Sequence, residues 1–181
     1  MIIADRLRTT NRAEYILYMW QVEDIVRAYH CDIDELKHHY LKDFQASDEK
    51  MQAIVSWYAD ICQMMKEEGL REKGHLQINR NALADLEEMH NELLKSDKFP
   101  YYKEMYYKVL PYIVELRSKQ PTATTDTELT TCFNALYGAL LLRLQSKQIS
   151  PETQKALQDI STLLGQLSDY YLSNKKEPLD L

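Results

Sequence analysis

The chain has 181 residues, with 22 Lys and Arg against 28 Asp and Glu, for a net charge of -6. That length is most simply one domain, able to bury roughly 70% of the surface its unfolded form exposes without disulfide or metal staples. The acidic balance disfavours general nucleic-acid binding, which needs clustered Lys and Arg, and leaves only a local basic patch to consider.

Four Gly and five Pro argue against a turn-rich β architecture. Three Cys, an odd number without paired spacing, suit a reducing compartment. The opening Met1-Ile2-Ile3-Ala4 runs into Asp5 and Arg6 without the apolar core of a secretory signal. The most apolar run, Ala139 to Leu144, falls far short of the roughly 20 residues that span a bilayer. The expectation is a cytoplasmic protein without a membrane partner.

Residues 1–9 read as an N-terminal arm. Asn11 followed by Glu14 is a capping-box pattern, so the first predicted helix starts there. Tyr15, Tyr18, Val22, Ile25 and Tyr29 form a 3-4-3-4 stripe that Met19 and Val26 widen, while Ile16, Leu17 and Trp20 occupy the other sides. A helix apolar all round needs cover all round, which puts it near the middle, with the arm or a neighbouring helix over Trp20.

Asp32-x-x-Glu35 caps a second helix carrying Ile33, Leu36, Tyr40 and Phe44. Ser47 caps a third, with Met51, Ile54, Tyr58, Ile61 and Met65 inside and Gly69 as its stop; Gly74 is a second stop signal. A fourth helix runs from Gln77 to Lys95 and a fifth from Pro100, whose missing N–H suits a first turn. Pro111 should kink or split that fifth helix.

Lys119 to Thr127 reads as the main loop. A sixth helix from Glu128 to Ser146 is again apolar on most faces, with Ala135, Gly138 and Ala139 as a small-residue side, and should be the second central one. Ser150-Pro151-Glu152 starts a seventh, and residues 174–181 read as a frayed tail. The predicted fold is all-α: a single-domain bundle over residues 1–181 with six to seven helices, mostly antiparallel neighbours, the first and sixth central.

Two Glu-x-x-His pairs, Glu35/His38 and Glu87/His90, match half of a di-iron or di-manganese bundle site, for which Glu23 and Asp60 or Glu67 would supply the further carboxylates. Helical geometry opposes it, because Glu35 and His38 lie roughly 140° to 200° from their helix's apolar stripe and should face water. A second candidate is the strip Trp20, Gln21, Glu23, Asp24 and Arg27, as a ligand pocket or, more simply, as a Glu23–Arg27 ion pair beside aromatic packing. A third is the run Phe99 to Tyr112, in which Tyr101, Tyr102, Tyr106, Tyr107 and Lys103 could form a protein interface unless they belong to the core.

His75 reads as an isolated loop histidine, and Cys31, Cys62 and Cys132 as small residues without a base to activate them. No phosphate loop, zinc-spaced set or nucleophile elbow is present, so neither a catalytic residue nor a cofactor is indicated.

The opening segment, Asn11-x-x-Glu14-Tyr15-Ile16-Leu17-Tyr18-Met19-Trp20-Gln21-Val22-Glu23-Asp24, resembles that of an uncharacterised family of small all-helical proteins known mainly from Bacteroidetes. The resemblance implies a bacterial cytoplasmic helical protein and transfers no site. The leading expectation is a non-enzymatic module that binds a protein partner or itself. The alternatives are a ligand- or metal-dependent enzyme with a site between helices and, disfavoured, a nucleic-acid-associated protein.

Overall fold

In this computed structural model, which describes residues 2–119 and 126–181, every regular element is helical. They are α1 (Ile2–Thr10), α2 (Arg12–Ala28), α3 (Ile33–His39), a 3-10 turn (Leu41–Asp43), α4 (Asp48–Glu67), α5 (Gln77–Lys95), α6 (Pro100–Ser118), α7 (Glu128–Leu144) and α8 (Pro151–Lys176). Among the described residues no helix is long and apolar enough to cross a membrane.

Two compact units are present, one formed by residues 1–10 and 14–82, the other by residues 11–13 and 83–181. In the first, α2 is buried on most of its circumference: Ile16, Met19, Trp20, Val22, Glu23 and Val26 are all shielded from solvent. Helix α4 adds Tyr58, Ile61, Cys62 and Met65 to the core, and α3 packs on α4 through the face that holds Leu36.

Three of the helix ends use the same device. The N–H of Leu70 reaches the Met65 carbonyl at 2.8 Å, that of Cys31 reaches Val26 at 2.8 Å and that of Lys147 reaches Leu142 at 2.9 Å. Each such 6→1 bond requires a residue in the left-handed region just before the donor. Gly69 fills it without cost at φ 71°, whereas His30 (55°) and Ser146 (56°) carry a Cβ there.

In the second unit α6, α7 and α8 pack on one another, with Tyr102, Val109 and Ile113 meeting a core of Leu129, Cys132 and Phe133 from α7 and Leu157, Ile160, Leu163, Leu164 and Leu167 from α8. The Leu86, Met89 and Leu93 side of α5 is also buried.

Several expectations need correction. Residues 2–10 of the N-terminal arm are helical, closed by the Thr9 and Thr10 hydroxyls donating to the Arg6 carbonyl at 2.9 Å each, so α-helices among the described residues number eight and not six or seven. The second predicted helix breaks at Tyr40 into α3 and the 3-10 turn. Pro111 does not split α6: Tyr107, whose carbonyl it cannot serve, is exposed with it, so water can take that bond.

Helix α8 reaches Lys176, beyond the expected fraying point. The tail after it is held by the Leu179 N–H on Asn174 Oδ1 (2.8 Å) and by Lys98 on Asp180 (2.5 Å). Helix α7 loses its cover after Leu140; Leu141, Leu142 and Leu144 are exposed. Residues 120–125 of the expected main loop lie outside the described residues.

Candidate functional site

The strip on α2 becomes two separate contacts in the first unit. Arg27 pairs with Asp24 at 2.8 Å, not with Glu23, and its Nη1 donates to the Gly74 carbonyl at 2.9 Å. Gln21 is half-buried and lies alongside its own helix. Glu23 has no exposed surface, and its two oxygens accept three hydrogen bonds: from Leu76 N–H (2.9 Å), Asn79 Nδ2 (2.6 Å) and His75 Nδ1 (2.6 Å). His75, expected to be isolated, stacks on Trp20 with centroids 4.2 Å apart.

This arrangement solves a capping problem. Helix α5 begins after Leu76, which has no side-chain acceptor for the first N–H groups. Glu23 supplies it for Leu76, and Glu68 Oε2 accepts from the Gln77 N–H at 2.7 Å. With its oxygens used, the buried carboxylate is a fastening between α2 and the 68–76 connection, with nothing left over for a ligand.

The first Glu-x-x-His pair is turned to solvent. Glu35 pairs with His30 at 3.0 Å, and His38 Nδ1 donates to the Asp34 carbonyl at 2.7 Å. Among the described residues no group of three or more His, Cys, Asp and Glu is arranged to hold a metal ion.

The tyrosine run divides. Tyr102 is in the core, Tyr106 is half-buried, and Tyr101 (78% exposed) and Tyr107 (63%) reach solvent. Six positions apart, those two point about 120° away from each other around the helix axis and about two turns apart along it, so they form no common patch. Lys103 pairs with Asp97 at 3.0 Å.

The second Glu-x-x-His pair, in the other unit, borders a cavity of about 330 Å³ between α5, α6 and the start of α7. His90 is 6% exposed, and burial holds its imidazole below the usual histidine range, with only partial opposition from Glu128. Its Nδ1 lies 2.5 Å from the Tyr102 hydroxyl. Tyr106 donates its hydroxyl to Glu128 Oε2 at 2.8 Å, and both Thr127 and Thr130 donate theirs to Glu87 Oε1. Burial, then the Glu128 bond, push Tyr106 up to about 12, so the phenol stays protonated at neutral pH.

The thiols are buried. Desolvation raises Cys62 to about 11 and Cys132 to about 12, and raises Cys31 as well, so none offers a thiolate at neutral pH. On α7 the uncovered face carries Leu141 and, one turn earlier, Gly138, where an added Cβ would meet nothing within 4 Å; Leu144, 71% exposed, flanks it.

From residue 1 to residue 178 the sequence matches the family described as Domain of unknown function (DUF4924). The chain belongs to that family. No curated protein and no solved structure matches it. DUF4924 membership assigns no residue a role, so the roles above rest on geometry alone. The residue that sequence reasoning missed in this DUF4924 chain is His75, together with Asn79; the available signal was a strong helix start at Gln77 with no capping residue at Leu76, which calls for an acceptor from elsewhere.

Proposed function

We infer that this DUF4924 protein is a non-enzymatic helical module that associates with a second copy of itself through the open face of α7. The observation that carries the reading is the exposure of Leu141, Leu142 and Leu144 on a helix whose sequence is apolar on most faces. Such a helix is stable in water only when covered. Gly138 beside Leu141 would let a second backbone approach closely.

A second copy set antiparallel lets each Leu141 face cover the other while the two α7 dipoles lie head to tail. A two-fold arrangement also covers the same apolar face on both chains with one contact. The buried, unpaired thiols Cys31, Cys62 and Cys132 accord with a reducing bacterial cytoplasm as its setting.

Sedimentation equilibrium tests this on the full chain. Wild type should be a dimer at micromolar concentration, and Leu141→Glu/Leu144→Glu should be a monomer with unchanged helical circular dichroism. A wild-type monomer at 100 μM, or a double variant that dimerises equally well, would overturn the reading.

A further inference from the structure

The α7 reading leaves the cavity at His90 without a role, yet its chemistry is specific. Tyr102 is fully buried, and its hydroxyl has one partner, His90 Nδ1. A buried O–H left without an acceptor costs free energy, so the phenol donates and Nδ1 accepts. That fixes the tautomer: His90 carries its proton on Nε2, an atom with no hydrogen bond among the described residues and not sealed from solvent.

Around the same cavity each of two carboxylates has, among the described residues, one oxygen engaged and one without a hydrogen bond. Glu87 uses Oε1 for the threonine hydroxyls and leaves Oε2; Glu128 uses Oε2 for Tyr106 and leaves Oε1. No Lys or Arg lines this cavity among the described residues, and the nearby Arg117 is turned to Thr131 Oγ1 (3.1 Å) and the Asp126 carbonyl (2.5 Å). The lining therefore gathers two carboxylates, the His90 imidazole, the Asn91 amide and the Tyr106 ring around a volume that suits a small molecule.

The geometry points to a binding site for a small organic ammonium ion that also carries a hydrogen-bond acceptor, such as an amino alcohol. The ammonium sits between Glu87 Oε2 and Glu128 Oε1, and the ligand hydroxyl or carbonyl oxygen receives His90 Nε2–H. An anion would meet two carboxylates. A simple alkylammonium would leave the imidazole N–H facing a positive charge.

The test is a titration of full-length protein, with ethanolamine as probe, followed through the His90 ring signals in NMR spectra. Ethanolamine should shift those signals saturably, ethylamine more weakly, and acetate not at all. Glu87→Gln and Glu128→Gln, each checked for native helical content, should weaken ethanolamine binding about tenfold, the loss expected for one charged hydrogen bond. The ring nitrogen shifts should report a proton on Nε2 in wild type. Non-saturating shifts, an equal response to acetate, unaltered affinity in both glutamine variants, or preferential occupation by manganese would each overturn the assignment.

Discussion

Across 52 residues of sequence, Glu23 receives the His75 ring at 2.6 Å while having no exposed surface of its own. The same carboxylate caps α5 through Leu76 and holds Asn79, so one side chain positions a loop and a helix start.

Replacing Glu23 with Gln puts an NH2 group where an oxygen accepted and leaves a buried donor unmatched. The variant should lose about 3 kcal/mol of unfolding free energy in urea. His75→Ala should lose less, because the ring is partly solvated at 34% exposure. Equal stabilities of Glu23→Gln and wild type would show that the cap is dispensable.

That contact also marks how far the sequence was legible. Periodicity placed α2, α4, α5 and α8 closely, because each buries a 3-4 stripe; Ser150 starts α8 as expected, its hydroxyl accepting from the Thr153 N–H at 3.2 Å, whereas Ser47, expected to cap α4, makes no side-chain cap bond and α5 begins after Leu76. Stripes report which face is covered and not what covers it. Glu23 was visible as a charge beside Trp20, but its partners come from the 68–76 connection and α5, a separation no local pattern encodes. The exposed end of α7 was illegible for the same reason: apolar sequence states a need for cover, and only the fold shows where cover is missing.

Two left-handed backbone positions, the α7 stop at Ser146 and Gly74 in the 68–76 connection, give paired predictions of opposite sign. Ser146→Gly removes a Cβ from φ 56° and should stabilise the protein by about 0.7 kcal/mol. Gly74→Ala adds one at φ 95°, 3.0 Å from Leu70 Cδ2, and should cost about 1.5 kcal/mol. Thermal melts at one protein concentration separate the two; the same sign for both would refute the backbone argument.

His90 gives a pH dependence. Its folded-state pKa lies below the ordinary value of 6.5, chiefly through burial. In the window from 6.5 down to that depressed value the unfolded chain binds more protons, so this residue's contribution is complete above 6.5 and is lost as pH falls. Urea unfolding at pH 7.5, 6.5 and 5.5 should show a shallower decline for His90→Gln than for wild type. Parallel declines would mean that His90 titrates alike in both states.

Cys31, Cys62 and Cys132 should resist a thiol reagent in the native state and all react on unfolding. Fast labelling of any one in native protein would place it at the surface.

That inertness permits the most direct test of α7 pairing. A nitroxide attached to Asn134→Cys, on the exposed side of α7, is mixed with isotope-labelled wild type, and intermolecular broadening is measured. Antiparallel pairing predicts that the broadened amides cluster at the C-terminal end of the partner's α7, around Leu141 to Lys147. Absence of intermolecular broadening, or broadening centred on α6, would contradict it.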